Sequence, residues 1–137
     1  MPFLLSLHSY ADWGLLALRL AIGAIFWVHG RSKAGMWKMQ PSPQMPAGML
    51  SKLKLLSICE PLAALALFAG LMTQAASFGL ALVMVSAIYM KAKKWDVPFN
   101  ANDKVGWEFD LILLAGCIML ILAGGGAWSL DRMWFGL

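Results

Sequence analysis

Four long apolar stretches dominate this chain and exclude an ordinary soluble fold. They lie at about residues 13–30, 53–72, 75–91 and 106–124, and each is close to the roughly 20 residues that a helix needs to cross a bilayer. Hydrophobic residues make up 61% of the 137 residues, charged residues only 13%, and the mean hydropathy is +0.71, which is too apolar for a soluble domain of this length. The sequence predicts one all-α domain over residues 1–137, an antiparallel bundle of four transmembrane helices.

The connections between these stretches predict the orientation of the chain. The loop after the first stretch, the loop after the third and their flanks hold nine basic residues: Arg31, Lys33, Lys38, Lys52, Lys54, Lys91, Lys93, Lys94 and Lys104. The opposite side holds only Arg132, so the positive-inside rule places both long loops in the cytoplasm and both termini outside. Residues 1–10 have no Lys or Arg and no small-residue cleavage site, so we do not expect a signal peptide.

This charge distribution also bears on partners and location. It accounts for the net charge of +4 without a nucleic-acid partner. We expect the lipid bilayer to be the main partner. The expected location is the inner (plasma) membrane of a bacterium.

Arg19 lies deep inside the first apolar stretch and needs a partner there, because a charge at such depth is costly and usually faces a protein interior. Helical periodicity places Arg19, Gly23, Gly30 and Lys33 on one stripe. Glu60 lies on a similar stripe of the second stretch. A rise of about 1.5 Å per residue puts Arg19 above a group of polar residues near the two long loops. The candidate ligand or proton pocket consists of Arg19, His29, Lys33, Glu60, Glu108 and Asp110.

Two points of this pocket stay open at the level of sequence. Helical side chains lean toward the helix N-terminus, which weakens a direct bridge between Arg19 and Glu60 and leaves a water or a ligand between them as the alternative. The fourth helix has one face with Glu108 and another with Asp110, and the pattern does not decide which is buried. A purely structural charge network is the competing interpretation of the whole set.

Aromatic and sulfur-containing residues complete the list of candidates. Four tryptophans suit an interfacial entrance to the pocket: Trp27, Trp37, Trp95 and Trp107. Cys59 and Cys117 lack a Cys-x-x-Cys spacing and lie at different estimated depths, so we expect both to be buried small side chains rather than a redox pair. No metal site is expected.

Several short motifs together resemble the DoxX family of small membrane proteins. They are Leu18-Arg19-Leu20 with Gly23, Phe26 and His29-Gly30, then Glu60, Gly70-Leu71 and Thr73, then Gly106-Trp107-Glu108, and finally Gly124-Gly125-Gly126 with Ser129-Leu130-Asp131. The resemblance implies a four-helix membrane bundle, which in several members is linked to redox systems such as quinone-coupled sulfur oxidation. It implies much less about a reaction of its own.

These observations favour a membrane subunit of a redox-linked system, with a quinone as the leading candidate ligand. The chain has no evident electron carrier, so at most it is an oxidoreductase subunit that needs a redox partner protein. A small proton-coupled transporter using Glu60 and a membrane scaffold or assembly factor are the alternatives, and a homo-oligomer is left open.

Overall fold

A computed structural model describes residues 6–100 and 104–136, and its regular elements are helical throughout. Residues 1–5, part of the N-terminal segment in which no signal peptide is expected, lie outside this range. The five α-helices are α1 (Ala11–Ser32), α2 (Ala47–Ala69), α3 (Thr73–Tyr89), α4 (Trp107–Ala123) and the short α5 (Leu130–Phe135). Short 3₁₀ segments at Leu7–Tyr10 and Lys33–Lys38 flank α1, and a π-helical turn at Met90–Lys94 continues α3. The predicted all-α class is confirmed for the described residues.

The four long helices agree with the predicted spans except at the ends of α2. This helix begins at Ala47, directly after Pro46, whereas hydropathy marked its start only at Leu53. Lys52 and Lys54 lie in the first turns of α2. Their charges lower the local hydropathy, so the apolar stretch begins later than the helical backbone. At the other end, Gly70 takes a left-handed conformation (φ 66°, ψ 37°) that ends the helix before the predicted residue 72.

The helices pack as neighbours in chain order, with the most extensive contacts in the pairs α1–α2 and α3–α4. Helices α2 and α3 are joined by a turn of three residues and are therefore antiparallel. Close approach of α1 to α2 occurs at Gly23 and Gly30, as their spacing predicts. A Cβ on Gly23 would lie 2.7 Å from the Phe68 ring, and one on Gly30 would overlap the Pro61 ring.

Two helical segments of the described chain are long and apolar enough to cross a membrane, Leu7–Lys38 and Thr73–Lys94. Helix α2 carries Lys52, Lys54 and Glu60, and α4 has only 17 residues, about 26 Å against a hydrocarbon core of about 30 Å. Length and composition thus identify two of the four predicted spans.

The packed helices have two ends that differ in their connections. The tail end carries the start of α1, the α2–α3 turn and the C-terminal segment with α5. The loop end carries the two long connections, residues 33–46 and 90–106.

Candidate functional site

Arg19 is completely buried, with an exposed fraction of 0%, and its guanidinium binds backbone carbonyls. Nη1 donates to the carbonyl oxygen of Leu67 at 3.1 Å, and Nη2 donates to that of Trp128 at 2.7 Å. Leu67 lies in the last turn of α2, where carbonyl groups lack their usual i+4 partners and the helix dipole favours a cation. The Leu67 carbonyl also accepts the N–H of Gly70 at 3.2 Å. The charge at this depth is therefore stabilised by a helix C-terminus and by the segment that precedes α5.

Asp131 caps the start of α3 at the same end of the helices, the tail end. Its Oδ1 accepts the backbone N–H of Met72 at 2.6 Å, and its Oδ2 accepts that of Thr73 at 2.8 Å. Its own backbone N–H donates to the carbonyl of Gly70 at 2.9 Å. A carboxylate at a helix N-terminus complements the dipole and fills donors that the helix leaves free. Asp131 also interacts electrostatically with Arg19.

The N-terminal part of α1 joins the same arrangement. Asp12 Oδ1 accepts the backbone N–H of Ala127 at 2.8 Å, and the rings of Trp13 and Trp128 lie 5.0 Å apart. We call this group the tail clasp: Asp12, Arg19, Gly70, Met72, Thr73, Ala127, Trp128 and Asp131. It ties the C-terminal segment to α1 and to the α2–α3 turn.

Arg19 and Glu60 do not form an ion pair. Arg19 reaches Leu67, about two helical turns or 10 Å from Glu60 along α2, and the Glu60 side chain binds in the opposite direction. This is the geometry expected if both side chains lean toward the N-termini of their antiparallel helices. The predicted pocket is thus divided, with Arg19 at the tail end and Glu60 in the loop-end half.

Glu60 and Lys33 form the first polar group of the loop-end half. Lys33 Nζ lies 2.6 Å from Oε1 and 2.5 Å from Oε2 of Glu60, whose exposed fraction is 1%. Lys33 begins the 3₁₀ segment after α1, so it reaches up to the carboxylate from the loop end. The structure brings together these two residues of the predicted pocket.

Asp110 and Lys91 form a second ion pair, with Nζ 2.6 Å from Oδ2. Asp110 is buried and lies on the same face of α4 as Leu113, Cys117 and Leu120. This settles which face of α4 is buried. Glu108 lies on the other face and is exposed, so it does not converge with Glu60.

The remaining candidates also lie outside a common pocket. His29 is exposed and stacks on Phe109, with ring centroids 6.3 Å apart. Three of the predicted entrance tryptophans contact different neighbours: Trp27 contacts Arg31, Trp37 contacts Lys54 and Ser57, and Trp107 contacts Phe99. The fourth, Trp95, is exposed.

A crevice of about 250 Å³ lies between α2 and α3, and Glu60 is among its lining residues. The others are apolar or small side chains: Cys59, Ala63, Ala75, Ala76, Gly79, Leu80 and Val83. A larger cavity of about 550 Å³ lies at the tail end beside Thr73 and Asp131. The Asp131 carboxylate there is already bound by two backbone N–H groups, so the smaller crevice is the better candidate for ligand chemistry.

Comparison with protein families gives a match over residues 14–93, which is more than half of the chain, to the DoxX family. The chain belongs to the DoxX family. No curated protein and no solved structure matches it. The match covers α1 to the end of α3, so the DoxX-like motifs around α4 and in the tail remain predictions. Family membership and the two long apolar helices make this DoxX protein a membrane protein.

Sequence reasoning missed three parts of the site in this DoxX protein. Asp131 appears in the sequence analysis only within a family motif and without a partner, although a helix beginning three residues after Gly70 needs an acceptor for its free N–H groups. Lys91 was counted only as a loop charge. The carbonyl of Trp128 has no sequence signal, since every residue carries one.

One expectation about the cysteines is wrong. Cys117 is buried in the core of this DoxX protein, but Cys59 is exposed on α2 beside the crevice. Helical geometry explains the difference, because Glu60 is buried and its predecessor is rotated by about 100° around the helix axis.

Proposed function

We propose that this protein is an integral membrane subunit of a redox-linked system, whose α2–α3 crevice binds the headgroup of a small amphipathic ligand. A quinone is the leading candidate. In this proposal all four long helices cross the membrane, with the loop end in the cytoplasm and both termini outside. The excess of basic residues at the loop end supports that orientation.

The observation that carries the proposal is the buried carboxylate of Glu60 beside a crevice. Ionisable residues inside a membrane are costly and by default suggest function. The crevice of about 250 Å³ is slightly below the range of about 300–1,000 Å³ that is typical of small-molecule sites, which suits a single-ring headgroup whose tail remains in lipid.

The ion pair with Lys33 is part of this proposal. The ammonium group of Lys33 compensates the Glu60 carboxylate and leaves the pair electrically neutral, so a neutral headgroup is favoured over an ion. In this site the carboxylate accepts a hydrogen bond from the ligand or takes its proton. Electrons would pass only through a partner protein that supplies a flavin, haem or iron–sulfur centre.

The test is to extract the protein with its native lipid and to measure copurifying quinones by mass spectrometry. Glu60→Gln should reduce the bound quinone about tenfold or more, because a hydrogen bond to a charged group contributes about 1.5–3 kcal/mol. Asp110→Asn is the matched control, since Asp110 is also a buried carboxylate paired with a lysine but does not line the crevice. Wild-type protein without quinone, or equal retention in Glu60→Gln, would contradict the proposal. Proton-coupled uptake in vesicles that Glu60→Gln abolishes would instead indicate a transporter.

A scaffold or assembly role is the second candidate, and the tail clasp favours it. Arg19 and Asp131 bind backbone groups of several helices, which holds the helices together without leaving a charged group free for a ligand. If the role is structural, replacing Lys33 and Glu60 together by apolar residues should leave both stability and assembly intact. Loss of activity of the parent complex in that double variant would count against the scaffold.

A further inference from the structure

The loop ends of α2 and α3 carry a cluster of lysines that the proposed ligand site does not use. It consists of Lys52, Lys54, Lys93 and Lys94, which we call the basic cluster. Lys52, Lys93 and Lys94 are exposed, and Lys54 is half-buried with its Nζ 5.9 Å from the centre of the Trp37 ring. None of the four forms an ion pair with another described residue, whereas Lys33 and Lys91 are paired with buried carboxylates.

The antiparallel arrangement of α2 and α3 brings these four residues to the loop end, at heights that differ by about 5–9 Å. Counted from the short turn between the helices, Lys52 and Lys54 lie about 23–26 Å away along α2. Lys93 and Lys94 lie about 30 Å away along α3 and its π-helical continuation. Among the residues that the structure describes, the exposed acidic groups near this end are Asp96 and Glu108, fewer than the unpaired lysines.

The same two helices expose apolar side chains directly beside the basic cluster. Leu55 and Ile58 follow it on α2, and Val85 and Tyr89 precede it on α3. The surface therefore changes from apolar to cationic within about one helical turn, and the exposed Trp37 and Trp95 lie in the segments that follow α1 and α3. Tryptophan is typical of the boundary between hydrocarbon and headgroups.

We propose that the basic cluster binds the phosphate of an anionic phospholipid whose acyl chains lie along the exposed apolar side chains of α2 and α3. A phospholipid matches both halves of this surface, since its negative phosphate lies next to apolar chains. A soluble acidic protein or a nucleic acid matches only the lysines. The proposal does not depend on a quinone in the crevice, because the lysines lie toward the loop end from Glu60.

The experiment measures which lipids stay bound to the full-length protein by native mass spectrometry, after exchange against an equal mixture of phosphatidylglycerol and phosphatidylcholine. Wild-type protein should retain phosphatidylglycerol at least tenfold over phosphatidylcholine, since each basic residue near an anionic surface contributes about fivefold. High salt should reduce this preference. The variant with all four lysines changed to Gln should lose it.

The pair Lys93→Gln and Lys94→Gln keeps the experiment interpretable if the fourfold variant folds poorly, because both side chains are exposed on a turn. This pair should reduce the preference about tenfold or more. Arg132→Gln, an exposed basic residue at the tail end, is the matched control and should leave it unchanged. Equal retention of both lipids by wild type, or an unchanged preference in the lysine variants, would overturn the proposal. Binding of an acidic protein or a nucleic acid by the cluster in place of lipid would overturn it as well.

Discussion

Gly70→Ala tests the tail clasp at its most crowded point. Gly70 is left-handed, and a Cβ there would overlap Arg19 Nη1 and lie 2.6 and 2.7 Å from the Cβ and Cα of Ser129. The methyl group therefore has to displace the guanidinium from the carbonyl of Leu67, because the Ser129 backbone moves less easily than a side chain.

The expected loss of stability follows from two contributions. The left-handed conformation costs an alanine about 1 kcal/mol, and the lost hydrogen bond from a charged donor costs about 1.5–3 kcal/mol. The free energy of unfolding should fall by about 2.5–4 kcal/mol, which for a chain of this size lowers Tm by about 9–14 °C. Thermal unfolding in mild detergent, followed by tryptophan fluorescence, measures this.

Gly136→Ala is the matched control for the backbone conformation. Gly136 has nearly the same dihedral angles (φ 69°, ψ 20°, against φ 66°, ψ 37° at Gly70), and within the described part of the chain no atom beyond its sequence neighbours lies within 4 Å of the added methyl group. It should lose about 1 kcal/mol or less. Equal losses in the two variants would refute the assignment of Arg19 to the end of α2.

Two further predictions concern the clasp and the α1–α2 contact. Asp131→Ala should destabilise the protein by about 2–4 kcal/mol and speed hydrogen exchange at the amides of Met72 and Thr73, because both lose their acceptor; unchanged exchange there would contradict the capping role. Gly30→Ala should cost about 1–3 kcal/mol in thermal unfolding, since its methyl group overlaps the rigid ring of Pro61. Gly14→Ala in the same helix is the control, because its methyl group meets no described atom within 4 Å outside the local backbone. It should be neutral or stabilising by up to about 1 kcal/mol. A loss of stability in Gly14→Ala would show that the contact with Pro61 is not what destabilises Gly30→Ala.

The candidate site was predictable from sequence only where partners are side chains at fixed helical offsets. Lys33 lies about one helical turn after Gly30 on the same stripe, and the Glu60 side chain leans toward the N-terminus of its helix, so their meeting follows from periodicity. The sequence did not show whether Glu108 or Asp110 is buried. The two side chains point about 200° apart around the helix axis, and both are carboxylates at the start of the same apolar segment.

The sequence by itself determined the helices, the family and the apolar surface, because these depend on local composition and on period. Only the tertiary structure decided what stabilises Arg19. Its partners are two main-chain carbonyls, one from the last turn of α2 and one from a segment more than a hundred residues further along the chain. Carbonyl groups occur in every residue and become acceptors for a buried cation only when the fold leaves them unpaired or partly paired beside it, so no pattern of residue types could reveal them.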